Sequence, residues 1–136
     1  MKNNFFIIDT NTLISAFLLP DSVTKQAYNK AVRLGKLSAS IETYDELREV
    51  FLRPKFDKYV SPEKRLLIIN DIKELLVFIE PTEKILDCRD PKDNKFLELA
   101  IVAGASCLIS GDKDLLILHP FRNIPILNAI DFINNF

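Results

Sequence analysis

Short apolar runs, each too brief for a helix and each followed by residues at helical spacing, recur along this chain, and that alternation narrows the available folds more than any other feature. The first run is Phe5–Ile8, FFII, after which Leu13, Ile14, Phe17 and Leu18 keep helical spacing until Pro20. A second helix is expected over Val23–Leu34, with Ala27, Ala31 and Leu34 on one face and Gly35 at its end. Residues 37–39 read as a second strand. Ser40 or Thr43 then opens a helix that turns Tyr44, Leu47 and Phe51 inward and stops at Pro54. Ser61 and Pro62 start a long helix to about residue 76, with Leu67, Ile68, Ile72 and Leu75 as its apolar stripe. Residues 77–79 suggest a third strand, and Asp90 and Pro91 open a helix through Phe96, Leu97, Ala100 and Ile101 to Gly104. Cys107–Ile109 and residues 124–127 complete the strands, with a helical turn at 115–118 between them and a last helix at 129–133.

Strands separated by helices pair in parallel through right-handed crossovers, with helices on both faces of the sheet. The expected fold is therefore α/β, a three-layer α/β/α sandwich around a central parallel sheet. At 136 residues, without repeat, low-complexity tract or linker, the chain reads as one domain over 1–136. The charged stretch 53–65 is the segment expected to depart from the main body.

Composition removes several function classes. Hydrophobic residues at 48% and charged ones at 27% are ordinary for a folded soluble protein and argue against disorder. No apolar stretch approaches the roughly 20 residues of a membrane helix, and the N-terminus lacks a signal-type pattern, so a cytoplasmic protein without membrane contact is expected. Cys88 and Cys107 lack metal-ligand spacing and read as reduced, buried thiols. A formal net charge of −1 gives a polyanion no global attraction, so such a partner needs a local basic patch or bound metal.

In open α/β sheets, ligands collect beyond the carboxyl ends of the strands, near the point where strand order reverses. Asp9 follows the first strand directly, and Asp112 and Asp114 follow the fourth in CLISGDKDLL. Asp93, in RDPKDNKFLELA, and Glu46, on the helix after the second strand, are the further acids that could join them. Each also has a structural explanation. Asp9 is placed to cap a helix, Asp112 to make a turn after Gly111, Glu46 to complete a capping box with Thr43, and Asp90 with Asp93 to cap a helix start. Capping acids recurring after several strands at one sheet edge favour a shared site.

Carboxylates gathered within a few ångströms repel one another, and without a cation some take up protons. All-oxygen ligation suits Mg²⁺ or Mn²⁺, which activate water and stabilise the attacking and leaving oxygens of an in-line phosphoryl displacement. His119, the single histidine, precedes Pro120 past the acidic segment and reads as structural. Neither a Ser-His-Asp or Cys-His arrangement, nor a phosphate-binding glycine loop, nor a zinc motif is present in the sequence. Metal-assisted phosphodiester hydrolysis is the chemistry these residues favour.

Asp9 in IIDTNTLISAFL, Glu46 in ETYDELREVFLRPKF, Asp93 in CRDPKDNKFLELAIVAGASCLIS, and GDKDLL resemble, in that order, the PIN-domain ribonucleases, especially the toxin-type PIN proteins of toxin-antitoxin pairs. The resemblance runs from residue 4 to about residue 132. It implies a three-layer fold with a central parallel sheet, and metal-dependent cleavage of single-stranded RNA to 5′-phosphate and 3′-hydroxyl ends. By position it implies that Asp9, Glu46, Asp93 and Asp112 are the catalytic acids that hold Mg²⁺ or Mn²⁺, with Asp114 as a less regular extra ligand. Asn11 and Ser110 match flanking polar positions, and Asp90 a supporting one. A protein antitoxin that blocks the acidic site and a homodimer through the first two helices are also implied.

For substrate binding, Lys92, Lys95 and Lys113 lie beside the acids in sequence. Arg48, Arg53, Lys55, Lys58, Lys64 and Arg65 flank Phe51, Phe56 and Tyr59, a mixture suited to phosphates and unpaired bases or, alternatively, to a solvated helix face over buried aromatics. A haloacid-dehalogenase-type phosphatase would place an Asp two residues after Asp9, where this chain has Asn11, and would space GDKD differently. The phosphoacceptor and acidic-pair pattern of a receiver domain is not evident. A PIN module that binds RNA or a partner without cutting it is the remaining alternative.

Overall fold

The computed structural model describes residues 4–136. Five strands form one all-parallel sheet: β1 (Phe5–Ile8), β2 (Lys36–Ala39), β3 (Leu76–Phe78), β4 (Cys107–Ile109) and β5 (Ile126–Leu127), in the order β3-β2-β1-β4-β5. The helices are α1 (Thr10–Leu18), α2 (Val23–Leu34), α3 (Ile41–Phe51), α4 (Pro62–Leu75), α5 (Asn94–Ala103), α6 (Lys113–Leu116) and α7 (Ala129–Asn135). This is the expected α/β class and layer architecture.

The period of two along each strand divides the core. Phe6, Ile8, Cys107 and Ile109 point to one face and pack with residues of α1, α2, α3, α4 and α7. Ile7 and Leu108 point to the other and pack with Phe96, Leu97 and Ala100 of α5 and Leu115 of α6. Burial on both faces explains why the central strands read as unbroken apolar runs rather than alternating ones. From β1 the chain winds outward through β2 to β3, then returns to the opposite side of β1 for β4 and β5. Strand order therefore reverses between β1 and β4, where Ile8 lies level with Ile109 and the Asp9 N–H donates to the Ile109 carbonyl at 3.1 Å.

Caps fix where the helices begin. Ser22, Ser61 and Asn128 accept from the backbone N–H groups of Lys25, Lys64 and Asp131. Ser40 and Thr43 form a reciprocal capping box at the start of α3, so Glu46, one turn later, has no part in that cap. Gly104 ends α5 at φ 58, a left-handed conformation that glycine adopts without strain.

Several boundaries and faces differ from the sequence expectation. The third strand begins at Leu76, the last spans only Ile126–Leu127, and α6 begins at Lys113 because Asp112 caps it. On α4, Leu67 and Leu75 are exposed, and the buried positions are Ile69, Ile72 and Arg65; Leu34 of α2 is exposed as well. Arg65 is the largest departure. Its side chain is fully buried, donating to the carbonyls of Phe51 at 2.6 Å, Arg53 at 3.0 Å and Val60 at 3.0 Å, and it pairs with the Asp57 carboxylate. It thereby ties the 53–65 stretch to the start of α4. With Arg65 and Phe51 both buried, neither can meet RNA, while Tyr59 is exposed. His119 Nδ1 accepts from the Ile126 N–H at 2.9 Å, a structural use. Both cysteines are free and buried.

Replacing Arg65 by Met would leave the buried Phe51 carbonyl and the half-buried Val60 carbonyl without this donor, while the Arg53 carbonyl keeps the Phe56 N–H; a buried carbonyl left unpaired costs about 1–3 kcal/mol. Urea unfolding should show R65M less stable than the wild type by about 3 kcal/mol.

Candidate active site

An open cleft of about 510 Å³ lies beyond the carboxyl ends of β1 and β4, lined by Asp9, Asp93 and Asp112 together with Glu46, Asp90 and Asn11. The turns that carry Asp9 and Asp112 leave adjacent strands at the same level, which brings these two acids together. Asp9 caps α1: its Oδ1 accepts from the Thr12 N–H at 2.9 Å, and its Oδ2 accepts from the Ser110 hydroxyl. The Ser110 oxygen in turn accepts from the Asp112 N–H at 2.9 Å, so one fully buried serine spaces both acids. Asp112 caps α6 through the Asp114 N–H at 2.7 Å.

The third acid arrives on the short 3₁₀ turn Pro91–Asp93 that precedes α5. Asp90 takes the capping task there, accepting from the Lys92 N–H at 3.1 Å. Asp93 stands at the start of α5 but makes no capping hydrogen bond, which leaves its carboxyl turned to the other acids. Asn94 steadies the loop, its Oδ1 accepting from the Cys88 N–H at 2.8 Å. Glu46 projects from α3, where Oε1 accepts from the Thr10 hydroxyl and Oε2 lies 2.7 Å from the Lys95 ammonium.

These placements put the site under electrostatic load. Burial pushes the Asp9 carboxyl above its ordinary range; hydrogen bonds from Ser110 and Thr12 oppose that rise, and the charge of Asp112 adds to it. Asp93 is raised to about 7, first by loss of solvent, then by the negative charge of Asp112 and a hydrogen bond shared with it, and further by Asp90 and Asp9. Asp93 is therefore partly protonated around neutral pH.

Of the basic residues near the acids in sequence, Arg53, Lys55 and Lys92 reach the cleft. Arg53 is tied to Glu49 by an exposed pair at 2.8 Å, an interaction weak enough to yield to a ligand. Lys95 is buried against Glu46, and Lys113 and the Asp114 side chain do not line the cleft. Thr10 and Glu49 escaped the sequence reading. The spacing of Glu49 to Arg53 is a legible helix pair, whereas nothing local marks Thr10 as a donor to Glu46.

A family model described as the PIN domain matches residues 6–114, a span that holds Asp9, Glu46, Asp93 and Asp112. The chain belongs to the PIN-domain family. It is 34% identical over 128 residues to the uncharacterized protein MJ1680 of Methanocaldococcus jannaschii, covering 91% of this chain and 81% of that protein. The crystal structure of PAE2754 from Pyrobaculum aerophilum superposes with a TM-score of 0.66 at 13% identity, over 96% of this chain and 88% of that one, a likeness of fold.

PIN domains are generally nucleases and typically use divalent metal ions. Among the described residues, no group of three or more His, Cys, Asp or Glu side chains stands ready to hold an ion. Asp9 is turned to Thr12 and Ser110, and Glu46 to Thr10 and Lys95. The donor set itself fits a hard divalent cation, because its oxygens carry negative charge that no cationic side chain beside Asp9, Asp93 or Asp112 offsets among the described residues. Among them, too, no helix is long and apolar enough to cross a membrane.

The raised Asp93 value gives a pH dependence of definite sign. Between the ordinary carboxyl value near 4 and about 7, the folded metal-free protein holds a proton that the unfolded chain has lost, so stability falls as pH rises through that window. Thermal melts in chelator should show the midpoint declining from about pH 5 to about pH 7.5. Asp93→Asn should flatten that decline and be the more stable protein at the upper end, and added Mg²⁺ should restore the wild type there.

Proposed function

We propose that this PIN protein is a single-domain, metal-dependent endoribonuclease that cuts single-stranded RNA in the cytoplasm and is the toxin of a toxin-antitoxin pair. The observation that carries the reading is the meeting of Asp9, Asp93 and Asp112 in an open cleft at the strand-order reversal, with Arg53, Lys55 and Lys92 along it. Asp9, Asp93 and Asp112 would hold Mg²⁺ or Mn²⁺, which when bound supplies charge neutralisation and an activated water. Ser110 and Thr12 keep Asp9 aimed, and Thr10 and Lys95 keep Glu46 in the orientation needed to order the attacking water. Arg53, Lys55 and Lys92 draw the RNA backbone into the cleft and screen its charge from the acids, a task the net charge of −1 cannot perform. The exposed Tyr59 offers a face for an unpaired base. Products would carry a 5′-phosphate and a 3′-hydroxyl, a small protein antitoxin would act by covering the cleft, and two copies would form a homodimer.

A second reading is a PIN module that binds RNA without cutting it, since Arg53, Lys55 and Lys92 along the cleft suit a phosphate backbone whether or not an ion is held there. Labelled single-stranded RNA incubated with Mg²⁺, Mn²⁺ or chelator separates the two. The nuclease reading expects metal-dependent cutting that falls at least about 100-fold in both Asp9→Asn and Asp112→Asn, as for loss of a group acting on the transition state. RNA bound but uncut with either metal would leave the binding module standing.

A further inference from the structure

Glu46 is gripped at both oxygens by the chain itself, by the Thr10 hydroxyl at Oε1 and by the Lys95 ammonium, 2.7 Å away, at Oε2. Lys95 differs from the other cations near the cleft. Its side chain is 9% exposed, whereas Arg53, Lys55 and Lys92 stand out at the rim. The ammonium also donates to the Lys92 carbonyl and lies 5.6 Å from the Phe96 ring centroid. A lysine ordinarily keeps its charged end in water, and burying it is costly unless a partner answers the charge. Here the partner is an acid of the site. Lys95 does not line the cleft, so a phosphate entering it would meet Arg53, Lys55 or Lys92.

The consequence concerns how many cations the cleft takes. Lys95 answers Glu46 and Arg53 answers Glu49, which leaves Asp9, Asp90, Asp93 and Asp112 as the carboxylates of the cleft that no cationic side chain offsets among the described residues, and of these Asp90 is engaged as the cap of its turn by the Lys92 N–H. Two-metal phosphodiester sites set their ions about 3.5–4 Å apart, joined by carboxylates. A second divalent ion on Glu46 would sit against an ammonium already held by the same carboxylate, a like-charge contact in a poorly solvated place.

We propose that Lys95 is a positioning residue whose ammonium stands beside Glu46 in the place a second divalent cation would take, so that the cleft holds one metal ion and Glu46 acts as the anchored acceptor that orients water. This assignment rests on the metal-dependent reading of the site. One contact thereby divides four acids: Asp9, Asp93 and Asp112 carry the ion, and Glu46 stays off it.

The test is a count of bound ions, independent of any RNA. The metal-free full chain is titrated with Mn²⁺, free Mn²⁺ being followed by electron paramagnetic resonance and folding of each variant checked by circular dichroism. The wild type, Lys95→Arg and Glu46→Gln should each bind one ion per chain, and Lys95→Met should bind two. Two ions on the wild type, loss of the ion in Glu46→Gln, or a single ion on folded Lys95→Met would overturn the assignment. If Lys95→Met does not fold, the wild-type count and the Glu46→Gln count still decide. No bound ion on any of these proteins would bring down the metal-dependent reading itself, and this assignment with it.

Discussion

The parallel pairing of β1 with β4 is the contact on which both the core and the cleft depend. Ile7 and Leu108 lie level with each other in the middle of the sheet, almost wholly buried, and contribute about 2 kcal/mol each by leaving water. The same register brings Ile8 level with Ile109, so the two chain segments leave the sheet side by side. Asp9 and Ser110 are the next residues on each, and the hydrogen bond between them joins the strand ends across the point where strand order reverses. A shift of one residue in that register would exchange the two core faces and separate the acids in the same step.

The cleft is where the fold gives back some of its stability. Asp9 is buried and Asp93 is pressed against Asp112, so both carboxyls are held above their ordinary range. Such tension persists because the surrounding structure is over-determined: caps fix α1 and α6, Asn94 steadies the approach to α5, and Ser110 spaces two turns at once. Glu46 is treated differently from the other acids, being answered by a buried lysine from α5. The acids thus fall into two groups, one internally neutralised and one left in surplus. The surplus group is the one that suits a divalent cation.

Much of this was legible in the sequence for a physical reason. A strand buried on both faces must be an unbroken apolar run, and the residue that ends it must turn or cap, so Asp9 and Asp112 mark strand ends and site together. The rule that ligands gather at the strand-order reversal then brings Asp93 into view. The misses share a cause as well. Leu67 and Leu75 keep the helical period yet face away from the core, since period alone does not say which side of α4 meets the sheet. Arg65 is held by backbone carbonyls, which leave no trace in side-chain identity. The partnership of Lys95 with Glu46 joins segments far apart in the chain, so Lys95 reads in sequence as one more basic residue beside the acids.

We propose that the surplus carboxylates Asp9, Asp93 and Asp112 beyond β1 and β4 form a seat for one divalent cation. Anomalous diffraction from crystals grown with Mn²⁺ would locate that ion. One strong peak should lie at ligating distance from carboxyl oxygens of Asp9, Asp93 and Asp112, with Glu46 still on Lys95. Crystals saturated with Mn²⁺ that show no peak in this cleft would overturn that seat.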